Sequence, residues 1–167
     1  EKVDFGVYNM GGIRAALSKG KITFGDVLDI APFENKICFL TLSGEKVLEL
    51  FQQIAHTGGE GVSKGVLLGL TKRNTLQYAS LHGKQIDPKA QYRIATIDYL
   101  AQGNDKLEAF KAKTDVNAPQ DASNNSRYII LNYFKAMTAE GKTINSRKEG
   151  RIAYVSNEKN QPAAIAK

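Results

Sequence analysis

The chain has 167 residues, a length that fits one domain and suffices to bury a real core. Hydrophobic residues make up 42% of the sequence and charged residues 24%, which is ordinary for a globular protein. The formal net charge is +6, but the basic residues are scattered or have acidic neighbours, so the sequence predicts a solvated basic surface and no nucleic-acid partner.

The sequence excludes an internal disulfide, a membrane-spanning stretch and a phosphate-binding loop of known pattern. Cys38 is the only cysteine, so no internal disulfide is possible, and its apolar neighbours predict a buried, unreactive thiol. No apolar stretch approaches the roughly 20 residues of a membrane span, and no Gly-x-x-x-x-Gly-Lys-Ser/Thr stretch marks a phosphate-binding loop. No signal peptide is visible at Glu1, and we expect the sequence to be a mature or trimmed fragment.

The first half of the chain predicts two strands and two helices in alternation. Residues rich in β-branched and aromatic types mark the strands, and apolar side chains at helical spacing mark the second helix. Thr23 and Ser43 are predicted N-caps, and Pro32 ends the first helix because it disfavours helical angles in the residue before it. The predicted elements are a strand over residues 3–8, a helix over 24–30, a strand over 36–42 and a helix over 44–56.

The second half predicts a run of strands and then one long helix. Three glycines in residues 57–64 predict a loop, and His82-Gly83-Lys84 predicts a hairpin turn. The predicted elements are strands over 66–70, 75–81, 92–97 and 151–155, a short helix over 106–113 and a long helix over 126–139. The long helix is expected to bury an apolar side formed by Ile129, Ile130, Tyr133, Phe134 and Met137.

The order of these elements predicts the fold class. Strands and helices interleave irregularly, without the regular spacing of a doubly wound sheet. We therefore expect an α+β domain over residues 1–156, with a mixed β-sheet packed with helices. Residues 157–167 are polar and small, and they are expected to form a disordered tail.

A turn after the first predicted strand carries the first candidate site. Residues 9–14 read Asn-Met-Gly-Gly-Ile-Arg, and Gly11 and Gly12 permit backbone angles that other residues resist. Such a turn lets a ligand approach backbone N–H groups, and Arg14 adds a fork of donors suited to phosphate or sugar oxygens. A tight turn with an exposed arginine explains the same residues, so this motif alone does not indicate binding.

Two later segments place aromatic and polar side chains close together in sequence. Phe33 follows the helix-ending proline, and Asn35 has a donor and an acceptor for the edge of a base, although a core phenylalanine and a turn asparagine also fit. A glycine-bearing loop separates Tyr99 from Asp105. An ionised aspartate only accepts hydrogen bonds, which suits a pair of ribose hydroxyls, but Asp105 is also in place to N-cap a helix that starts at Lys106.

These motifs occur together in the order of one known family. They read NMGGIRAALSKGKITFGDVLDIAPFEN, then TLSGEKVLELF, then YRIATIDYLAQGND. In this order and spacing the chain resembles the C-terminal domain of 5′-nucleotidases, a family that includes bacterial UDP-sugar hydrolases and animal ecto-5′-nucleotidase. The resemblance runs from residue 3 to about residue 155 and implies the fold of that domain.

The resemblance implies a nucleotide site in which two aromatic rings, at Phe33 and Tyr99, clamp the base. Tyr99 stands where phenylalanine is common, which keeps the ring face and adds a hydroxyl. Stacking of this kind contributes roughly 1–3 kcal/mol per base and tolerates many bases, so we expect broad nucleobase acceptance. The other implied substrate-binding residues are Asn35 for the base, Asp105 for the ribose hydroxyls, Asn9 and Arg14 for the ribose and phosphate side, and Gly61 for the pocket wall.

The resemblance also implies parts that this sequence lacks. The family hydrolyses phosphate with two metal ions, held by Asp, His and Asn residues of a separate N-terminal domain. His56 and His82 are the only histidines and neither lies in such a motif, so we predict no catalytic residue, metal ligand or cofactor in this chain. The sequence also begins after the family's first helix, which carries a further phosphate-binding arginine, and Asn104 replaces a common glycine before Asp105.

The leading hypothesis is a substrate-recognition domain that holds a nucleoside or nucleoside 5′-monophosphate for a metallophosphoesterase domain, on the same polypeptide or on a partner protein. Divalent metals are expected in that catalytic domain. By resemblance, the expected location is the periplasm or the outside of the cell, or an anchored position at its surface. A stand-alone nucleoside-binding protein would use the same residues, so the sequence does not separate these two functions. A structural domain with a decayed pocket is the third alternative, and the intact pocket residues argue against it.

Overall fold

The structure is a computed structural model that describes residues 1–155. Residue 156 of the predicted domain and the tail predicted over residues 157–167 lie outside the described residues. The strands are β1 (Phe5–Tyr8), β2 (Ile37–Ser43), β3 (Gly61–Val62), β4 (Val66–Leu70), β5 (Leu76–Leu81), β6 (Lys84–Gln85), β7 (Gln91–Ile97), β8 (Thr114–Asn117) and β9 (Ile152–Tyr154). The helices are α1 (Phe24–Ile30), α2 (Gly44–His56), α3 (Asp98–Ala101) and α4 (Ser126–Ala139), and 3-10 turns lie at Met10–Gly12 and Glu108–Ala112.

The strands form two mixed sheets. In the five-stranded sheet the order is β3-β1-β7-β2-β8, with β1 parallel to β7 and the other neighbours antiparallel. In the four-stranded sheet the order is β6-β5-β4-β9, with β9 parallel to β4 and the other neighbours antiparallel. This arrangement of mixed sheets packed with helices confirms the predicted α+β class.

The helix α2 connects the two sheets and forms the centre of the core. Its N-terminus is fixed by Ser43, whose side-chain oxygen accepts a hydrogen bond from the Lys46 N–H at 3.4 Å. Its apolar residues recur at helical spacing, are buried, and contact strands of both sheets. Phe51 on this apolar side lies 5.3 Å, between ring centroids, from Phe5 of β1, so the helix packs directly on the strand that leads to the candidate site.

The long helix α4 is present as predicted, but its apolar side is not buried. Ile129 and Tyr133 are 45% and 56% exposed, and Ile130, Phe134 and Met137 are only partly buried. The reason is that α4 packs mainly against α1, which has 7 residues and is too short to cover a helix of 14. Helical periodicity identifies an apolar face, but the tertiary arrangement decides whether another element covers it.

Smaller differences from the predicted elements lie where tertiary pairing adds a short strand. The predicted loop over residues 57–64 contains β3, because this segment pairs antiparallel with β1. The strand β8 has no counterpart among the predicted elements, and it pairs with β2 at the outer edge of its sheet. The short helix predicted over residues 106–113 is a 3-10 turn over Glu108–Ala112. Strands of two to four residues carry too little periodicity to be found from sequence.

Candidate functional site

Three segments of the five-stranded sheet meet at one edge, by which we mean the side of the sheet where β1 and β7 end and β2 begins. Because β1 and β7 run parallel and β2 runs antiparallel to β7, the ends of β1 and β7 lie beside the start of β2. Ile37 pairs with Ile97, and just beyond them the Asp98 N–H donates to the Lys36 carbonyl at 2.8 Å. Most residues predicted for the site follow β1 or β7 or precede β2, so the topology brings them to this edge.

Asp105 lies at this edge between Asn9 and Tyr99, and we call these three residues the Asp105 cluster. The Asn9 side-chain amide donates to Asp105 Oδ2 at 2.6 Å, and the Tyr99 hydroxyl donates to Asp105 Oδ1 at 2.9 Å. A carboxylate offers about four lone-pair positions, so each oxygen keeps an acceptor position beyond the one in use. The cluster is therefore a preformed acceptor site for hydroxyl or amine donors.

The backbone at Asp105 is held in an uncommon conformation. Asp105 and Lys106 have φ values of 54° and 63°, in the left-handed region, which costs a non-glycine residue roughly 1–2 kcal/mol. The following 3-10 turn begins at Glu108 with Leu107 as its N-cap, so the alternative role of Asp105 as a helix cap is wrong. Two strained residues at a carboxylate that has two side-chain partners are typical of a functional position.

Asn9 is 5% exposed and offers one further acceptor. Its Nδ2 faces Asp105 because an ionised carboxylate only accepts, and this orientation leaves Asn9 Oδ1 buried without a partner among the described residues. A buried carbonyl oxygen without a hydrogen bond costs roughly 1–3 kcal/mol.

Gly12 leaves the space in which the Asn9 side chain lies. A Cβ at Gly12 would stand 2.7 Å from Asn9 Oδ1 and 3.1 Å from the Tyr8 side chain, whereas at Gly11 the nearest contact would be an ordinary 3.7 Å. Neither glycine has a positive φ, so the prediction that they supply special backbone angles is wrong. The turn is a 3-10 turn over Met10–Gly12, and what it requires of Gly12 is space.

The Tyr99 ring is 40% exposed, and its backbone is fixed on both sides. The Tyr99 N–H donates to Asp98 Oδ1 at 2.8 Å, and Asn104 Nδ2 donates to the Tyr99 carbonyl at 2.8 Å. The hydrogen bond to Asp105, and then the charge of that carboxylate, raise the pKa of the Tyr99 phenol, so the hydroxyl remains a donor at neutral pH. The departure from glycine at Asn104 is accommodated because Asn104 itself does not have a positive φ, whereas Gly103 before it has one of 85°.

Phe33 is 47% exposed and lies in a loop that Arg127 of α4 holds. Arg127 Nε donates to the Ala31 carbonyl at 3.1 Å, and its Nη2 donates to the Pro32 carbonyl at 2.6 Å. Its Nη1 lies 3.5 Å from a carboxylate oxygen of Glu34, so the guanidinium contacts the residues on both sides of Phe33. Arg127 is absent from the predicted site. The sequence feature that could have identified Arg127 is its position in the first turn of a predicted helix. A positive charge there is unfavourable unless another partner stabilises it.

The two rings predicted to hold the base are exposed at the same edge. Phe33 lies shortly before β2 and Tyr99 shortly after β7, and the backbone hydrogen bond from Asp98 to Lys36 joins the two segments. Within residues 1–155 the two rings do not pack against each other or in the core. Each of the two residues therefore keeps part of its surface open to solvent.

The other three predicted residues make, within the described residues, no hydrogen bond to the Asp105 cluster. The Arg14 side chain is exposed and donates to a carbonyl of the turn after β1 at 3.3 Å. The Asn35 carbonyl accepts from the Ser126 N–H at 2.9 Å, and its side chain is half-buried. Gly61 pairs with Tyr8, and a Cβ there would stand 2.8 Å from the Tyr8 carbonyl.

Two concave apolar surfaces lie beside this edge. One has a volume of about 550 Å³ and lies between α4, the end of α1 and the start of β2. The other has a volume of about 350 Å³ and lies on the face of the five-stranded sheet. Neither is lined by Phe33, Tyr99 or Asp105. The Asp105 cluster therefore lies outside both of these surfaces.

Histidine positions decide whether a two-metal centre fits this chain. His56 ends α2, and His82 lies in the turn between β5 and β6, with its Nε2 3.3 Å from the Asp4 carbonyl. Among the described residues, no three His, Cys, Asp or Glu side chains lie close enough together to hold a metal ion. The described residues therefore do not fit such a centre. None of the described helices is both long enough and apolar enough to span a bilayer.

Comparisons with known proteins agree on one family. The family model described as the 5′-nucleotidase C-terminal domain matches residues 1–112. Protein UshA of Salmonella pullorum is 31% identical over 105 residues, covering 61% of this chain and 19% of UshA. The cell wall protein Lmo0130 of Listeria monocytogenes is 28% identical over 169 residues, covering 92% of this chain and 21% of Lmo0130. The chain thus spans about a fifth of the length of these relatives.

A solved structure shows the same fold. The 5′-nucleotidase precursor of Thermus thermophilus matches with a TM-score of 0.76 at 22% identity, covering 93% of this chain and 32% of that one. At this identity the likeness shows the fold alone. Family membership rests on the family model, which matches more than half of the sequence. The chain belongs to the 5′-nucleotidase C-terminal domain family.

Proposed function

We propose that this chain is the nucleotide-recognition domain of a 5′-nucleotidase-type phosphoesterase. In this proposal Phe33 and Tyr99 hold the base from its two faces, Asp105 binds the ribose hydroxyls, and Asn9 lies on the ribose and phosphate side. The remaining roles are contact of Asn35 with the base edge, contact of Arg14 on the phosphate side, and a pocket wall at Gly61. The phosphate is then presented to a two-metal catalytic domain that lies outside this chain.

The observation that carries the proposal is the Asp105 cluster. It joins residues 9 and 105, which are 96 positions apart, through a side-chain hydrogen bond of 2.6 Å at a solvent-accessible sheet edge. Its free acceptor positions, one on each carboxylate oxygen of Asp105, match the donors of a vicinal diol. Hydrogen bonds to a charged group contribute roughly 1.5–3 kcal/mol, enough to orient a sugar beside two exposed rings.

In this proposal, substrate recognition lies in this chain and phosphate hydrolysis lies in a separate catalytic domain. The described residues do not fit a metal centre, and the matched relatives are about five times longer than the matched segment, which leaves room in them for another domain. Holding a substrate in the correct geometry can contribute much of the lowering of a reaction barrier. The name of Lmo0130, a cell wall protein, supports a location in the periplasm or outside the cell.

The test is a titration of the isolated chain with adenosine and AMP, together with an assay of AMP hydrolysis in added divalent metal. We expect binding without turnover. Phe33→Ala should weaken binding at least about fivefold, because stacking on one ring contributes roughly 1–3 kcal/mol. Phe24→Ala, at an exposed phenylalanine of α1, is the matched control and should bind as the unaltered chain does.

Two results would contradict the proposal. Flat titrations against a panel of nucleosides would mean that the site does not bind them. Turnover of AMP by the isolated chain at the rate of a complete enzyme would mean that the catalytic groups lie in this chain.

Adenosine binding with no gain of turnover on addition of a metallophosphoesterase domain would favour a stand-alone nucleoside-binding protein.

A further inference from the structure

The hydroxyl of Tyr99 has a partner that base stacking does not require. Stacking needs only the ring face, which phenylalanine also has. In this chain the hydroxyl donates to Asp105 Oδ1 at 2.9 Å, and the backbone around the ring is fixed by Asp98 and Asn104. The donor therefore reaches Asp105 from a constrained position.

Asp105 is held at both of its oxygens. Asn9, nearly buried, donates to Oδ2, and Tyr99 donates to Oδ1, so rotation of the carboxylate would break two hydrogen bonds at once. Each oxygen retains one acceptor position for an incoming donor. A vicinal diol offers two donors side by side, which is the pattern that a fixed carboxylate with two free positions can accept.

We propose that the Tyr99 hydroxyl is a specificity-determining group that selects nucleosides with an intact 2′,3′-diol, by holding the Asp105 carboxylate in place for both sugar hydroxyls. This inference rests on the proposed function. A 2′-deoxynucleoside fills only one of the two acceptor positions and leaves the other without a partner in the complex. Sites built to hydrogen-bond a substrate hydroxyl reject the analogue without it for this reason. With the Tyr99 donor removed, only the Asn9 hydrogen bond holds the carboxylate. The carboxylate can then turn toward whichever donor is present, and the discrimination falls.

The experiment compares dissociation constants for adenosine, 2′-deoxyadenosine and adenine in the unaltered chain and in Tyr99→Phe. We expect Tyr99→Phe to lower the preference for adenosine over 2′-deoxyadenosine about 2- to 10-fold, the range of one ordinary hydrogen bond, and to leave adenine binding unchanged. The matched control is Tyr154→Phe, which removes a 3.0 Å hydrogen bond from a tyrosine hydroxyl to Asn74 in the four-stranded sheet. It should leave all three constants unchanged.

The outcomes separate this inference from the function on which it rests. If the unaltered chain binds none of the three ligands, the proposed function falls and the inference falls with it. If the unaltered chain prefers adenosine and Tyr99→Phe keeps the same preference, only the inference falls. If Tyr99→Phe weakens adenine as much as adenosine, the hydroxyl acts through the base and the inference is again wrong.

Discussion

At the scale of single residues, Gly12 determines the position of the Asn9 side chain. Because Gly12 has no side chain, Asn9 can lie against Asp105. We expect Gly12→Ala to displace Asn9, since an added Cβ would stand 2.7 Å from Asn9 Oδ1. Overpacking of this kind typically lowers folding stability by about 1–3 kcal/mol. Displacing Asn9 also removes a donor to Asp105, so adenosine affinity should fall at least about twofold, the lower range of one hydrogen bond. The measurement is a calorimetric titration, with Gly11→Ala as the matched control. Equal affinity in the two variants would contradict the spatial role of Gly12.

The Tyr99 phenol gives a second prediction at this scale. The hydrogen bond to Asp105 and the carboxylate charge raise the pKa of Tyr99. The folded chain thus holds this proton more tightly than the unfolded chain, so the stabilising contribution is present below about pH 10 and is lost as the pH rises through the folded pKa. Asp105→Asn should lower the pKa of Tyr99 toward its ordinary value. Ultraviolet titration, with Tyr99→Phe subtracted, measures this, and an unchanged pKa would exclude the contact.

Among the elements, α4 is the one whose role differs most from its sequence pattern. Its apolar residues predict a buried side, yet Ile129 and Tyr133 are exposed, and its first turn instead holds the loop that carries Phe33. Arg127 is therefore a positioning residue, since it acts on the proposed base clamp through the backbone of its neighbours.

We expect Arg127→Met to weaken adenosine binding several-fold, because it removes the two hydrogen bonds that hold the Ala31 and Pro32 carbonyls. Lys135→Met, an exposed change on the same helix, is the matched control. In a Phe33→Ala background the same Arg127→Met change should have little further effect, because the two residues act on one contact. Additive losses in this double-mutant cycle would show that Arg127 does not act through Phe33.

The bounds of elements were predictable where local chemistry sets them. The helix α1 begins where Thr23 accepts from the Asp26 N–H, and α2 begins where Ser43 accepts from the Lys46 N–H. Such caps involve neighbours in sequence. The strand β3 was not predictable in this way, because it exists only through its pairing with β1. Likewise, the tertiary arrangement decides whether another element covers the apolar side of α4, which the sequence of α4 does not specify.

For the whole molecule, the convergence of the predicted residues depends on the parallel pairing of β1 with β7. The motifs and their order point to Asn9, Tyr99 and Asp105, but no local pattern specifies that these side chains touch. Arg14, Asn35 and Gly61 make no hydrogen bond to the cluster. The binding roles of all seven predicted site residues stay predictions. Contacts between distant segments follow from topology, which a single sequence encodes only indirectly.

Cys38 offers a probe of the whole fold. It is buried on β2, and this burial raises the pKa of its thiol, so it should react with a thiol reagent only when the protein opens. We expect adenosine at 100 times its dissociation constant to slow labelling about 100-fold, because the ligand stabilises the closed state by mass action. Labelling at neutral pH as fast as that of a free thiol would contradict the buried position. Unchanged labelling with ligand would mean that local opening, independent of the site, exposes the thiol.

On the proposed function, the hydrogen bond between residues 9 and 105 also sets when the protein can first bind a nucleoside. During synthesis the early half of the binding site leaves the ribosome long before the late half exists, and closing so long a loop is slow and entropically costly. Truncated chains that end before Asp105 therefore carry Asn9 and Phe33 but lack the carboxylate that is proposed to bind the ribose. A nucleoside in the surrounding medium can assist folding only once the later strands and their loop have emerged.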